Sequence, residues 1–372
     1  MKKKVEIITI LDVANFGTML QAYALGKRIK DLGMNVEFLD YTRPAHAPSD
    51  KFKTFCHDKS LGNVVKRVGF GFAALMSYSF IRRKSRKFVT SHFPLSKNYT
   101  KIEDIKKNPP RADLYMTGSD QVWNSSYNEG IDRVFFLDFI KGRKIAYAAS
   151  VGISEFPSEE IPEIKSLLGQ YEHIAVRESQ TAEYLTKLGL PNIQHVLDPT
   201  LLLNMDEWKK VIHYKERRHE PFLLVYSVER FNNDFIFEQA RKIAKARNLK
   251  MYAISATYPV KAKEYGFDKI FALASVPQFL SLMIEADFVV ASSFHGTAFS
   301  VNFNKDFITI SAKNFNIRME SFIKQFDILH RIVTTEFVEN NQLQPIDYVT
   351  INAEMEKARE TSHHYLKEIL SD

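Results

Sequence analysis

The sequence predicts an α/β protein with two Rossmann-like domains that face each other across a cleft. Short apolar, β-branched segments alternate with longer segments of helical periodicity through most of the chain. This alternation occurs in two series, and the charged segment KERRHE (215–220) lies between them. The 372 residues are enough for two domains of ordinary size. We therefore expect an N-terminal domain over 1–204, a C-terminal domain over 205–350 and a final helix over 351–372.

The composition limits the classes of function. Hydrophobic residues make up 45% and charged residues 26% of the chain, as in globular proteins. The single cysteine, Cys56, excludes an internal disulfide framework and fits a reducing cytoplasm. Neither a Cys/His cluster nor an acidic pair has metal-ligand spacing, so no metal and no tightly bound cofactor are predicted. The net charge of +7 favours anionic partners, and without a nucleic-acid motif we expect small phosphorylated or carboxylated substrates.

The first series opens with a β-α-β unit. Val5 to Ile10 is strand-like, Thr18 to Leu32 has the spacing of a helix on a sheet, and Asn35 to Asp40 is a second strand. The intervening loop, LDVANFG, contains Asn15 and Gly17 at the carboxyl end of the first strand, where open α/β sheets bind ligands. It lacks GxGxxG, so it gives no evidence for a dinucleotide.

The region 41–98 interrupts the alternating pattern. An apolar stretch at 68–80 precedes the basic segment IRRKSRK (81–87). Such a pair could rest on an anionic membrane surface, which would place the protein at the inner face of the membrane. The alternative is a buried helix with a solvated basic end.

Polar residues follow two further strands of the first domain. A strand at 113–116 leads into TGSDQVWN, which places Ser119, Asp120 and Trp123 in one loop. An aromatic face beside hydroxyl, amide and carboxylate groups suits sugar recognition, with Asp120 as a base or an orienting group; the alternative is an Asp that caps the next turn. Arg177 follows a strand at 171–176, where its guanidinium could bind a carboxylate or phosphate. The alternative is an ion pair with Glu178 or another neighbour.

The second series contains the segment on which the functional prediction depends. A buried strand at 288–291 is followed by Ser292, Ser293, Phe294, His295 and Gly296, and then by a helical pattern. A helix that starts at the carboxyl end of a strand attracts anions, because its first N–H groups lack partners within the helix. We expect the ring of His295 to face a ligand there; the alternative is a histidine packed in a loop. Lys313 and Arg318 follow the next strand, at 306–310.

Six segments, taken in order and spacing, resemble the polysaccharide pyruvyl transferases from about Val5 to Arg331. They are NFGTMLQAYAL, LYMTGSDQVWN, KIAYAASVG, AVRESQTAEYLTKLGL, HVLDPTLLL and VVASSFHGTAFSVNFNKDFI. The resemblance implies transfer of a pyruvyl group from phosphoenolpyruvate, as co-substrate, to a sugar of a cell-surface polysaccharide or its precursor. It also implies a fold of the GT-B type, with the acceptor on the 1–204 side and the donor on the 205–350 side.

The resemblance also assigns residues to the donor site. It implies a donor-site arginine matching Arg177 and a histidine matching His295, with Ser293 and Gly296 beside the latter. Family members often have an arginine two positions before this histidine, where this chain has Ser293. Either Lys313 or Arg318 supplies the cation, or a different donor is used. Asn15, Gly17, Ser119 and Trp123 are then expected to bind a saccharide or lipid-linked saccharide acceptor.

Two other functions stay open from the sequence. One is a glycosyltransferase that uses a nucleotide sugar in the same two-domain frame. The other is a saccharide-binding relative that has lost the chemistry.

Overall fold

The computed structural model describes residues 2–43, 56–57, 63–216, 220–228, 233–255, 265–310, 317–334, 336–340 and 343–371. These residues form two compact units. Unit 1 comprises Met1–Leu202 and Lys357–Asp372, and unit 2 comprises Leu203–Glu356. The border between the units lies two residues from the predicted one at 204. The final helix is divided between the units at 356/357.

Unit 1 is built on a six-stranded parallel sheet with the strand order β2-β1-β3-β4-β5-β6. Its strands are β1 Lys4–Ile8, β2 Asn35–Phe38, β3 Leu114–Thr117, β4 Lys144–Ala149, β5 His173–Val176 and β6 Ile193–His195. Its helices are α1 Phe16–Asp31, α2 Val64–Thr90, α3 Ile102–Lys107, α4 Ser125–Asn128, α5 Ile161–Leu168, α6 Ser179–Lys187 and α7 Pro199–Leu202.

Unit 2 has a second six-stranded parallel sheet, with the strand order β12-β11-β10-β7-β8-β9. Its strands are β7 Phe222–Tyr226, β8 Lys250–Ser255, β9 Lys269–Ala272, β10 Phe288–Ala291, β11 Asp306–Ile310 and β12 Ile332–Val333. Its helices are α8 Met205–Val211, α9 Asn233–Arg247, α10 Val276–Glu285, α11 Phe294–Asn302 and α12 Ile317–Gln325, with a 3₁₀ turn at Leu329–Arg331. The last helix, α13 Tyr348–Ser371, crosses the border between the units.

Residues on both faces of the central strands β1 and β10 are buried. Val5, Ile7 and Ile8 of β1 are at most 1% exposed, and all four residues of β10 are completely buried. The near-continuous apolar runs that predicted these strands therefore reflect burial on two faces.

The strand order sets where each unit is expected to bind ligands. In unit 1 the chain moves from β1 outward to β2 and then returns to β3 on the other side of β1. In unit 2 it moves from β7 to β8 and β9 and then returns to β10 beside β7. Open α/β sheets bind ligands beyond the carboxyl ends of the strands at such a reversal. The relevant ends are those of β1 and β3 in unit 1 and those of β7 and β10 in unit 2.

Helix α2 lies within the irregular region predicted at 41–98. Its C-terminal part packs on unit 1, with Ile81, Phe88 and Val89 buried. Its N-terminal part, Val64 to Phe80, exposes large apolar side chains. The expectation of a buried helix is therefore wrong for this part.

Candidate functional site

Five residues at the carboxyl end of the unit 1 sheet form a buried ionic cluster, which we call the unit 1 cluster: Ser119, Asp120, Arg177, Glu178 and Asp198. Arg177 donates from Nη1 to Asp198 Oδ2 at 2.6 Å and from Nε to Glu178 Oε1 at 3.3 Å, and its Nη2 lies 3.5 Å from Asp120 Oδ1. The Arg177 side chain is 1% exposed. Burial alone would lower the pKa of Arg177, but Asp198, Glu178 and Asp120 outweigh it and raise that pKa above its ordinary value.

Each carboxylate of the cluster also accepts a hydrogen bond from a hydroxyl group. Thr18 Oγ1 donates to Asp120 Oδ2 at 2.7 Å, Ser150 Oγ to Glu178 Oε1 at 2.6 Å, and Thr200 Oγ1 to Asp198 Oδ1 at 2.7 Å. Three carboxylates and one guanidinium leave an excess of negative charge, and these hydroxyl donors help to stabilise it where water is excluded. The cluster is therefore held rigidly.

The backbone around Asp120 is strained. Asp120 has a φ of 83°, in the left-handed region, and its carboxylate accepts the N–H of Gln121 at 2.9 Å. On the neighbouring strand β4, Ala148 has a φ of 55°, and the register with β5 shifts between Ala146 and Ala149. A positive φ on β4 and another in the loop that follows β3 are typical of sites where backbone geometry serves function.

The structure brings most of the predicted acceptor residues to the same edge. Asn15 is the N-cap of α1, where its Oδ1 accepts the N–H of Gly17 at 2.9 Å. Thr18, which follows Gly17 in the chain, donates a hydrogen bond to Asp120. Ser119 donates from Oγ to Asp198 Oδ2 at 3.2 Å. Asn15, Gly17, Ser119 and Asp120 thus gather at the ends of β1 and β3, the point of strand-order reversal in unit 1.

Trp123 requires a correction. We expected its indole face to pack against a sugar ring, but the residue is 1% exposed. Its Nε1 donates to the Phe135 carbonyl at 3.2 Å, and its ring stacks on Phe136 at a centroid distance of 5.8 Å. Trp123 is a core residue, because its side chain points into the sheet-helix interior and not toward the loop surface.

For Arg177 the structure shows the ion-pair alternative. Its guanidinium faces three carboxylates, so an incoming anion would have to displace at least one of them. Binding of a donor anion by Arg177 stays a prediction. Arg177 and His295 also belong to different units.

Sequence reasoning missed several members of this network. Asp198, Thr18, Ser150 and Thr200 were not singled out, although Asp198 and Thr200 belong to the LDPT segment, which begins two residues after the end of β6. That segment carried a usable signal, because an Asp-Pro-Thr after a strand puts polar groups at the ligand-binding edge of the sheet.

In unit 2, the end of β10 continues directly into α11. Ser293 is the N-cap, with φ −127°, and its Oγ accepts the N–H of Gly296 at 3.0 Å. A Cβ at Gly296 would lie 2.9 Å from Ala291 Cβ and 3.0 Å from both Ser293 Oγ and the Tyr226 ring, so no side chain fits there. The glycine serves close packing of the helix start on the strand ends. An anion bound at Gly296 N–H would compete with the Ser293 hydroxyl.

His295 lies in the first turn of α11 and is 5% exposed. Its ring meets Phe294 edge to face at a centroid distance of 5.2 Å, and Phe294 meets Phe322 of α12 at 5.8 Å. The histidine is thus at the predicted position at the end of β10, buried beside the ring of Phe294. That its ring faces a ligand stays a prediction.

Two serine hydroxyls, which were not predicted to interact, connect the ends of β7 and β10. Ser292 Oγ donates to Ser227 Oγ at 3.1 Å and accepts the N–H of Val228 at 3.1 Å. These bonds lie at the point of strand-order reversal in unit 2. Lys313 lies outside the described residues, and for Arg318 only the helical backbone of α12 is described.

A model of one protein family matches most of this chain. The family is described as polysaccharide pyruvyl transferase, and the match covers residues 15–314. The chain belongs to the polysaccharide pyruvyl transferase family. The matched region includes Asp120, Arg177, Ser293 and His295, and it ends at Asn314. Family membership makes the protein a transferase connected with polysaccharide biosynthesis, as the resemblance of the six segments indicated.

Solved structures similar to this family member confirm the predicted fold class. UDP-N-acetylglucosamine 2-epimerase from Rickettsia bellii aligns with a TM-score of 0.55 and 13% identity, over 100% of this chain and 97% of that one. The Neisseria meningitidis epimerase bound to UDP-GlcNAc has a TM-score of 0.53 and 10% identity, over 100% and 99% of the two chains. An Anabaena protein in complex with UDP and glucose aligns with a TM-score of 0.52 and 9% identity, over 99% of each chain. At these identities the likeness establishes two Rossmann-like domains of the GT-B type, and the cleft between them stays a prediction.

A comparison with curated proteins gave no significant match. Donor and acceptor must therefore be argued from the chain's own residues. Among the residues that the structure describes, no group of three or more His, Cys, Asp or Glu is arranged to hold a metal ion.

Proposed function

We propose that the protein transfers a pyruvyl group from phosphoenolpyruvate to two hydroxyls of a saccharide, forming a cyclic ketal and releasing phosphate. The observation that carries this proposal is the position of His295 in the first turn of α11, directly after β10 at the strand-order reversal of unit 2, inside the segment that the family model matches. The acceptor belongs to a cell-surface polysaccharide or to its precursor, free or lipid-linked. The reaction then takes place in the cytoplasm, at the inner face of the membrane where the acceptor is lipid-linked.

The chemistry defines what the site must supply. A proton adds to the methylene carbon of phosphoenolpyruvate, C2 becomes electrophilic, and one sugar hydroxyl forms the first C–O bond. A second hydroxyl of the same sugar then displaces the phosphate, and the C2–O bond to phosphate breaks. The two hydroxyl protons end on the new methyl group and on the phosphate. General acid and base groups must therefore lie within hydrogen-bond reach of the donor and the acceptor.

We assign the donor to unit 2. His295 gives or takes the proton, or stabilises the departing phosphate, and the positive end of the α11 dipole favours the dianion. Ser293 and the Gly296 N–H form the helix start that the phosphate would meet. Either Lys313 or Arg318 is proposed to supply the cation that is missing two residues before His295, where this chain has Ser293.

We assign the acceptor to unit 1, at the ends of β1 and β3. Asp120 is proposed to orient or deprotonate a sugar hydroxyl, with Asn15, Gly17 and Ser119 beside it. The contacts of Arg177 favour a positioning role: it holds Asp120 and Asp198 in place. If Arg177 bound the donor carboxylate directly, it would lose at least one of those ion pairs.

The test is release of phosphate from phosphoenolpyruvate, measured with and without saccharide acceptors. We expect His295→Ala to lower kcat by ~10²–10⁴-fold, the usual contribution of a proton-transferring group. The matched control is His364→Ala, which removes an exposed histidine of α13. Normal turnover by a folded His295→Ala protein contradicts the catalytic role.

Two alternatives have distinct outcomes in a companion experiment. A thermal-shift panel compares phosphoenolpyruvate with UDP and UDP-sugars. Stabilisation by the nucleotides alone, with sugar transfer from UDP-sugars, favours a glycosyltransferase. Saccharide binding without turnover of either donor favours a non-catalytic relative.

A further inference from the structure

Helix α2 exposes an unusual amount of apolar surface. Six large apolar side chains in its N-terminal part are between 45 and 80% exposed: Val64, Val65, Val68, Phe72, Met76 and Phe80. Single exposed apolar residues are normal on any protein, whereas a contiguous set marks a surface that meets an apolar partner. We call Val64 to Phe80 the apolar half of α2.

The same helix is strongly cationic. It carries seven Lys or Arg residues and no Asp or Glu, a number equal to the formal net charge of the whole chain. Lys66 and Arg67 lie near its N-terminus, and five cations follow Ile81: Arg82, Arg83, Lys84, Arg86 and Lys87. The apolar half therefore contains two cations near its start and is followed by five more.

The C-terminal half of α2 is firmly attached to unit 1. The ring of Phe88 lies 5.0 Å from that of Tyr23 on α1, Arg86 is paired with Asp40, and Arg82 donates to Thr42 Oγ1 at 3.3 Å. These contacts fix the direction of the helix. The exposure of the apolar half is thus a consequence of where the helix is held.

The length of the uncharged stretch determines how the helix can meet a bilayer. By length and composition, α2 is the one helix among the described residues that passes as a membrane span. Only the 14 residues between Arg67 and Arg82 lack charge, however. At ~1.5 Å per residue they measure ~21 Å, short of the ~30 Å hydrocarbon core. A cationic helix with so short an apolar stretch suits the interface, with its apolar side chains at the headgroup boundary.

We propose that α2 docks the protein on an anionic lipid surface, lying in the plane of the interface with its apolar side chains inserted and its exposed cations, Lys66, Arg83 and Lys87, on lipid phosphates. Charge decides between this occupant and a second copy of the chain. In a two-fold pair of α2 helices, the cations of one helix would meet those of the other at both ends, which is repulsive. Anionic lipids supply the opposite charge along the whole helix.

The docking helix also passes the acceptor side of unit 1. The backbone of Ala14, in the loop between β1 and α1, hydrogen-bonds Tyr78 of α2. Asn15 follows directly in the same loop. If the proposed function holds, docking through α2 brings the ends of β1 and β3 near the lipid surface, where a lipid-linked saccharide presents its sugar. Docking itself does not depend on the reaction.

The experiment is co-sedimentation of the full chain with vesicles of phosphatidylcholine alone or with 30% phosphatidylglycerol. We expect binding to the anionic vesicles, weakening as NaCl rises, and at least tenfold weaker binding to the neutral ones. Equal binding to both compositions contradicts the electrostatic part of the proposal. Resistance to extraction by alkaline carbonate contradicts the interfacial orientation, because it indicates a span.

Two pairs of matched variants locate the contact. Arg83→Glu/Lys87→Glu reverses two exposed cations of α2, and Lys357→Glu/Lys367→Glu makes the same charge change on α13. Loss of two cations near the surface corresponds to roughly 30-fold weaker partitioning, and reversal to more, whereas the α13 pair should change it little. Equal losses in both pairs indicate a response to net charge only and overturn the assignment to α2.

The apolar contact is tested in the same way. Phe72→Ser/Met76→Ser removes two side chains about 60% exposed, and Val349→Ser removes an exposed one on α13 as control. We expect at least tenfold weaker vesicle binding for the first only. Self-association that Phe72→Ser/Met76→Ser abolishes, without vesicle binding by the parent chain, overturns the proposal in favour of a dimer. Pyruvyl transfer to a water-soluble acceptor is measured separately, so that failure of the proposed function and failure of docking are distinguishable.

Discussion

Replacement of Arg177 by methionine tests whether the unit 1 cluster depends on one buried cation. Arg177→Met keeps most of the side-chain volume and removes the positive charge among Asp120, Glu178 and Asp198. The four side chains are between 0 and 8% exposed, so water replaces little of the lost interaction. We expect strong destabilisation of unit 1.

The magnitude follows from the geometry. Removing one partner of a buried ion pair costs about 3–5 kcal/mol, because the opposite charge is left uncompensated. Here three carboxylates lose their shared partner, the closest at 2.6 Å. With an m-value of about 3 kcal/mol/M in urea, the midpoint of unfolding should fall by roughly 1–1.7 M. Arg133→Met is the matched control: its side chain is 50% exposed, and exposed pairs contribute about 0–1 kcal/mol.

The chain offers a reporter for each unit. It contains two tryptophans, Trp123 in unit 1 and Trp208 in unit 2, and both are buried. Arg177→Met is therefore measured by fluorescence in a Trp208→Phe background, where Trp123 alone reports urea unfolding of unit 1. A Trp123→Phe background reports unit 2. A midpoint change below about 0.3 M in the Trp123 signal, corresponding to less than ~1 kcal/mol, would refute the reasoning.

Three further predictions use the same reporters. Burial raises the pKa of Glu6 to about 8, with Glu37 adding to the rise and Lys4 opposing it. Because this value lies above the ordinary one of 4.5, the folded state binds the proton more tightly than the unfolded state does. The free energy of unfolding of unit 1 should therefore fall by roughly 3–5 kcal/mol as pH rises from about 4.5 to 8. Glu6→Gln should flatten this dependence in urea melts across pH, whereas exposed Glu159→Gln should retain it. Gly296→Ala should destabilise unit 2 by about 1–3 kcal/mol, because the new Cβ clashes with Ala291. The control Gly69→Ala, at an open helical position, should leave the stability of unit 1 unchanged or raise it. Equal effects of the two substitutions would contradict the steric argument. Ser293→Ala removes the cap of α11 and should cost about 1 kcal/mol, and an unchanged Trp208 melt would show that the cap contributes nothing.

The strand and helix positions of unit 2 could largely be read from the sequence. The predicted strands at 288–291 and 306–310 agree with the structure to the residue, and the pattern of 276–285 predicts the helix that the structure has there. Each strand is a short apolar segment bounded by polar residues. The helix begins with a Ser cap and has Pro277 in its first turn. Local patterns of this kind determine element type and extent where nothing long-range competes.

Boundaries set by turns were less predictable. The pattern of residues 157–169 predicts a helix from Pro157, but α5 begins at Ile161. The residues before it form a turn in which Glu160 N–H donates to the Pro157 carbonyl. The two prolines of segment 190–203 favour a strand followed by an extended connection, but the structure has the strand β6 and then the short helix α7 there. A proline that is allowed in the first turn of a helix also fits an extended chain, so the sequence alone did not separate the two.

The candidate site was predictable in position but not in side-chain partners. Asp120, Arg177 and His295 all lie at carboxyl ends of strands, because strand ends can be read locally and their role in binding is general. The pairing of Arg177 with Asp198 and Asp120 joins residues 21 and 57 positions apart, which no local pattern encodes. The burial of Trp123 likewise depends on which way one side chain leaves its loop.

The most direct measurement of the central claim is the stoichiometry of the reaction with phosphoenolpyruvate and a saccharide acceptor. Phosphate release and formation of the ketal methyl group are followed together by NMR. The proposal predicts one ketal per phosphate, with both rates falling in parallel in His295→Ala and unchanged in His364→Ala. Acceptor-independent phosphate release, or a sugar transferred from a UDP-sugar with phosphoenolpyruvate untouched, would contradict it.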